Sequence, residues 1–182
     1  MALQPRWIPH LKILRPIAPD RHEYLGGRWE DRNWRNVPGP FYGAETDTCL
    51  AGPPTAPDNI LCDESGQEFL WRQPHNLAEL RNVLDAAYQD PFIGYGWDGH
   101  EHWDVGLVRA WWRDRPRLKE WISEQLRGDP SPHDREATQQ AMRGLVRFSE
   151  YLAGELPLHL RAYLYWLEER QPPSPDTVLP DL

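Results

Sequence analysis

The stretch 59–74, NILCDESGQEFLWRQP, decides the fold. Two short apolar-bearing runs, 59–63 and 67–72, flank Glu64-Ser65-Gly66, with Gly66 placed to supply the positive φ of a tight hairpin. Pro74 ends the second run, because proline has no N–H to give a strand ladder. Beyond it the apolar spacing changes from period two to helical period. Asn76 is placed to cap a helix with Glu79 three residues on, and Leu77, Leu80, Leu84 and Tyr88 fall on one face. Asp104 is the N-cap of a second helix, whose apolar face is Leu107, Val108, Trp111 and Trp112. Asp114 and Pro116 start a third, which ends at Gly128. Ser131, Pro132 and Asp134 open a fourth with a stripe of Ala141, Leu145, Phe148 and Leu152; a last helix near 157–170 carries Leu160, Tyr163, Leu164 and Leu167.

Strands first and helices last predict an α+β fold. An N-terminal extended arm and a small antiparallel hairpin or sheet precede a C-terminal bundle of about four to five helices. Residues 1–35 form the basic arm, since Pro5, Pro9, Pro16 and Pro19 forbid a long helix and Gly26-Gly27 interrupts its C-terminal end. Residues 36–170 form one domain, and 171–182 a Pro-rich tail lying extended on the surface. A chain of 182 residues buries enough surface to build a core without staples. Ten Trp and nineteen Pro, beside only two Met and four Phe, predict rigid irregular segments packed by large rings.

Charge is distributed unevenly. The chain carries −8, yet residues 1–35 hold seven basic against four acidic side chains, so everything after Arg35 carries −11. No Lys or Arg lies between Arg35 and Arg72, where Glu45, Asp47, Asp58, Asp63, Glu64 and Glu68 all fall. None lies between Arg81 and Arg109 either, a window with Asp85, Asp90, Asp98, Glu101 and Asp104. Brought together, the two windows make a face that steers a cationic partner and repels nucleic acid. The plainer reading is that acidic loops keep a Trp-rich protein in solution.

Residues suited to chemistry stand or fall on their spacing. GYGWDGHEHWD, 94–104, holds an H-x-H pair, His100 and His102, with Asp98 nearby. On an extended segment i and i+2 point the same way, so both imidazoles would face one metal, with Asp98 or a distant Glu45, Asp47 or Cys49 completing the site. An H-x-H without a spaced third ligand is a weak signal, and Asp104 is already used as a cap. Glu45 and Asp47 share a face if extended, the arrangement of an acid and base pair; equally, Thr46 and Asp47 are suited to satisfying loop backbone donors. Cys49 with His75, His100 or His102 outlines a thiol triad, but no nucleophile motif surrounds it. Cys49 and Cys62 match no zinc or redox spacing and read as free thiols. Phosphate-cradling glycine motifs are absent, so no cofactor is implied.

Among the aromatics, Trp71, Trp97, Trp103, Trp111, Trp112 and Trp121 suit either a ligand platform, a sugar-binding one included, or interface anchors. Trp111 and Trp112 diverge by about 100° on a helix. One ring therefore lies at a boundary, covered by the arm with Trp7, Trp29 and Trp34, by a ligand, or by another chain. No run approaches the roughly 20 apolar residues of a membrane span, and MALQPRWIPHLKILRP lacks a secretory signal pattern. A cytoplasmic protein without membrane contact is expected.

With NWRNVPGPFYGAETDTC, GQEFLWRQP, DPFIGYGWDGHEHW and VRAWWRDRPRLKEW, the chain resembles a group of small Trp-rich actinobacterial proteins over residues 30–170. That resemblance transfers no catalytic residue. The expectation is a non-catalytic acidic binding protein, an immunity-type inhibitor or assembly adaptor. It would dock a basic protein partner through Glu45, Asp47, Asp58, Glu64, Trp97, Asp98, His100 and Glu101. The alternative is a small metal- or carboxylate-dependent hydrolase centred on His100 and His102.

Overall fold

A computed structural model describes residues 21–128 and 135–182. The Ser131 cap and the arm before residue 21, Trp7 included, lie outside the described residues. The chain is α+β. Its strands are β1 (Tyr42–Gly43), β2 (Ile60–Cys62), β3 (Glu68–Leu70) and β4 (Tyr95–Gly96). Its helices are α1 (Gly52–Thr55), α2 (Leu77–Gln89), α3 (Gly99–His102), α4 (Val105–Arg113), α5 (Arg115–Arg127), α6 (Arg135–Ala153) and α7 (Leu156–Glu169).

The hairpin forms as its sequence predicts. Ile60 pairs with Leu70, Leu61 with Phe69 and Cys62 with Glu68. The Asp63 carboxylate accepts the N–H groups of Ser65 and Gln67 at 2.9 and 3.0 Å, and Gly66 sits at φ +81. A side chain at that φ is strained, which is why glycine stands there. Both faces of the hairpin are apolar, because successive side chains alternate between two cores. Leu61 and Phe69 pack into a large core with Trp71, Trp103, Trp121, Phe148 and the α7 face. Ile60 and Leu70 pack into a second core with Phe41, Leu80, Val83, Leu84 and Tyr95. The hairpin is thus the wall between α2 on one side and the helical bundle α4–α7 on the other.

Irregular chain before the hairpin is held by buried amides rather than by ladders. Asn36 Oδ1 accepts the N–H groups of Gly43 and Leu70, both at 2.9 Å, while its Nδ2 donates to the Gly43 carbonyl at 2.7 Å. Gln73 accepts from Phe41 N at 3.1 Å and donates to the carbonyls of Val37 and Phe41. These bonds go to backbone groups that burial takes away from water.

The part of the predicted arm that is described, 21–35, belongs to the domain. Leu25 and Arg35 are buried. The Arg35 guanidinium donates from Nη2 to both Glu64 oxygens at 2.7 Å and from Nη1 to Asp63 at 3.1 Å. It lies between the rings of Trp34 and Trp121, 4.6 and 4.5 Å from their centres. A boundary at Arg35 therefore cuts through a buried ion-pair network. The cause is that the hairpin turn supplies carboxylates 28 and 29 residues away, a pairing that local sequence does not show.

Helix caps fall where expected: Asn76 accepts Glu79 N at 3.0 Å and Asp104 accepts Leu107 N at 2.7 Å. The face of α2 is rotated from the predicted one. Leu80, Val83, Leu84 and Ala87 are buried, whereas Leu77 and Tyr88 are exposed. The i, i+3, i+4, i+7 stripe beginning at Leu80 faces the hairpin, and the small side chains of Ala86 and Ala87 add to the same core. On α4 Leu107 is exposed and only Val108 is fully buried. Trp111 and Trp112 are both half-buried. Trp111 Nε1 donates to the Trp34 carbonyl at 3.1 Å, and Arg115 covers Trp112 at 4.4 Å, so part of their cover is intramolecular. The tail returns over the bundle. Arg161 donates to the carbonyls of Leu179 and Pro180, and Arg109 to that of Asp181. Cys49 and Cys62 are free.

Candidate binding surface

The two windows without Lys or Arg are neighbours. β1 and β4 pair antiparallel, Tyr42 with Gly96 and Gly43 with Tyr95, and Ala44 N donates to the Gly94 carbonyl at 2.8 Å. The pairing sets Glu45 beside the loop that leads into β4.

Many of the acids in these windows are spent inside the fold. Asp47, Glu68 and Asp90 are buried. Asp47 accepts Cys49 N at 3.2 Å and offers no carboxylate to a docking face; it serves its own loop backbone. Glu68 accepts Gly52 N at 2.8 Å and the hydroxyl of Tyr95. Burial raises the Glu68 carboxyl above its ordinary value, against the lowering effect of those hydrogen bonds. Glu64 is exposed but shares the Arg35 cation with Asp63, and it also accepts Trp121 Nε1 at 2.8 Å. Its burial is outweighed by hydrogen bonds from its own backbone, Trp121 and Arg35, and its carboxyl is held low. Asp58 pairs with Arg147 at 2.6 Å.

The H-x-H pair does not converge. Residues 99–102 form a helical turn, not an extended segment, so His100 and His102 are about 200° apart around its axis. His100 packs edge-on to Trp166 of α7, and His102 stacks on Trp29 at 5.0 Å. Asp98 accepts the Tyr42 hydroxyl at 2.7 Å and lies 3.1 Å from His102 Nε2. Burial lowers the His100 pKa. Among the described residues no group of three His, Cys, Asp or Glu is placed to hold a metal ion. Trp97 is half-buried against the second core. Of the predicted docking set, Glu45, Glu64 and Glu101 are exposed, and Asp58, Trp97, Asp98 and His100 are partly so.

The surface has an apolar centre outside the predicted docking set. At the end of α2 Tyr88 is 59% exposed, and in the turn before β4 Phe92 is 70% and Ile93 38% exposed. Ile93 stands at φ +57, a left-handed conformation that a β-branched residue rarely adopts. The buried Asp90 carboxylate fixes this turn by accepting three N–H groups. They are Phe92 at 3.0 Å and Gly94 at 2.7 Å within the loop, and Asp47 at 3.1 Å from the neighbouring segment. Tyr24 packs edge-on to Tyr88 at 4.7 Å and broadens the patch. The available signal was Asp90-Pro91-Phe92-Ile93-Gly94 itself: a turn carrying two large apolar residues that no helical or strand period accounts for.

No helix among the described residues is long and apolar enough to cross a membrane. No family model, no curated protein and no solved structure matches the chain.

Proposed function

We propose that this chain is a non-catalytic binding protein that docks a basic protein partner in the cytoplasm, as an immunity-type inhibitor or assembly adaptor does. Phe92 and Ile93 are the anchors, and Glu45, Asp98 and Glu101 belong to the acidic surroundings. The observation that carries this reading is the strained, exposed Phe92–Ile93 turn inside a window free of Lys and Arg. Strained backbone clusters at ligand clamps and active sites, and here the buried Asp90 carboxylate holds the turn. A large exposed ring on a fixed turn loses little entropy when it enters a partner's pocket. The surrounding negative charge speeds encounter with a cationic surface and disfavours nucleic acid.

The test is photo-crosslinking in an extract of the source organism, with benzoylphenylalanine at position 92 and, as control, at the highly exposed Val178. A basic protein crosslinked from position 92, absent from the control and lost at high salt, supports the reading. Equal labelling from both positions, or labelling unaffected by salt, contradicts it.

A further inference from the structure

A second feature lies away from the β1–β4 edge. A cleft of about 650 Å³ opens between α1, the hairpin and the first half of α6. That volume falls within the range of small-molecule sites, about 300–1,000 Å³. Its walls include Pro53, Pro54, Ile60, Leu61 and Ala141. The prolines stiffen one wall. On the other, α6 approaches the hairpin so closely that a Cβ at Gly144 would stand 2.5 Å from Leu61 Cδ2. At the rim Leu50 is exposed and held at φ +60, a second strained apolar residue. Cys62 also lines the cleft; burial and then the carboxylates of Glu68 and Asp63 push its thiol well up, so it stays neutral.

Among the described residues one cation on this cleft has no ion-pair partner, while two of its carboxylates share a single guanidinium. Asp63 and Glu64 are held by Arg35, and Arg147 by Asp58. Arg143 is exposed and makes no ion pair with any described residue. Of the exposed large apolar residues among those described, only Leu50 lines the cleft, so the cleft offers no broad apolar patch to a protein partner of ordinary interface size.

We propose that this cleft binds a small apolar molecule with one anionic head group, a carboxylate amphiphile of the fatty-acid class, its tail between the proline wall and α6 and its carboxylate on Arg143. The proposal stands apart from the docking surface at Phe92.

The experiment is isothermal titration of the full chain with laurate and, as the uncharged counterpart, dodecan-1-ol. Saturable laurate binding is expected. Arg143→Glu is expected to weaken laurate about tenfold or more and to leave dodecan-1-ol unchanged. Ala141→Trp fills the cleft from an exposed position and is expected to abolish both; Pro54→Trp does the same from the opposite wall should the first variant fail to fold. Absence of saturable laurate binding overturns the proposal, as does laurate affinity unchanged in Arg143→Glu or in the filled variants. Self-association in sedimentation that Ala141→Trp abolishes also overturns it, because the cleft then seats a second copy of the chain.

Discussion

The Asp90 carboxylate accepts the backbone N–H of Phe92 at 3.0 Å while itself almost fully buried, so a charge inside the protein fixes an apolar side chain outside it. The second oxygen takes Gly94 N, and the first is shared with Asp47 N. One side chain thus ties the exposed turn to the adjoining acidic segment. The cost of burying a carboxylate is met by these three donors. The arrangement shapes a contact surface and leaves no oxygen free for chemistry.

Ile93→Gly separates strain from binding. Glycine adopts φ +57 without penalty, so the variant is expected to be more stable in urea by about 1 kcal/mol. Crosslinking from position 92 is expected to fall in the same variant, because the apolar side chain is gone and the turn is looser. A loss of stability would show that Ile93 is held by packing rather than against its backbone preference.

Asp90→Ala leaves three N–H groups without their acceptor. A destabilisation of about 2–3 kcal/mol is expected, from the cost of unsatisfied buried donors less the gain from removing a buried charge. Urea unfolding checks the size. Amide hydrogen exchange checks the place, with loss of protection concentrated at Asp47, Phe92 and Gly94.

Arg35→Ala removes the cation from between two carboxylates and two indoles. Breaking a buried pair on one side costs about 3–5 kcal/mol, and here Asp63 is nearly buried while Glu64 is half open, so the lower part of that range is expected. Arg35→Lys is expected to recover little, since an ammonium cannot span both acids and stack on Trp34 and Trp121.

Acid unfolding should carry the mark of His159. Its Nδ1 lies 2.8 Å from the Tyr151 hydroxyl, and burial lowers its pKa below the ordinary 6.5. The unfolded chain therefore takes up the proton first. Stability from the neutral ring is complete above pH 6.5 and is lost as pH falls toward the lower folded value. His100 titrates with the same sign. Glu68 works the other way: its raised folded value makes stability increase as pH falls through it. Urea midpoints measured from about pH 7.5 to 5 should decline in the wild type and decline less in His159→Gln. Glu68→Gln should decline more steeply, having lost the opposing contribution.

What was legible in the sequence was what short-range chemistry determines. The hairpin at Gly66, the caps Asn76 and Asp104 and the α7 stripe all depend on neighbours within a few residues, and all are as expected. The placement of Arg35 was not legible, because its partners come from a turn far along the chain. The α2 face departs from its expected one at both ends: Leu77 and Tyr88 fit the helical period, but the packing of Leu80, Val83 and Ala87 sets the rotation. The H-x-H pair fits a strand period, whereas 99–102 is a helical turn that sends the two imidazoles to Trp166 and Trp29. The acidic windows were legible as charge but not as surface. Which carboxylates turn inward depends on where irregular backbone leaves donors unpaired, and only the fold shows that.

The central claim is that Phe92 anchors a basic protein partner. The direct measurement is the affinity of the crosslinked protein, once purified, for the wild-type chain and for Phe92→Ala, titrated side by side at low salt. The variant should keep the wild-type urea midpoint, since the ring is mostly in solvent, and bind about thirtyfold more weakly, the loss of about 2 kcal/mol typical of an interface anchor. A Phe92→Ala chain that binds as tightly as the wild type would contradict the account.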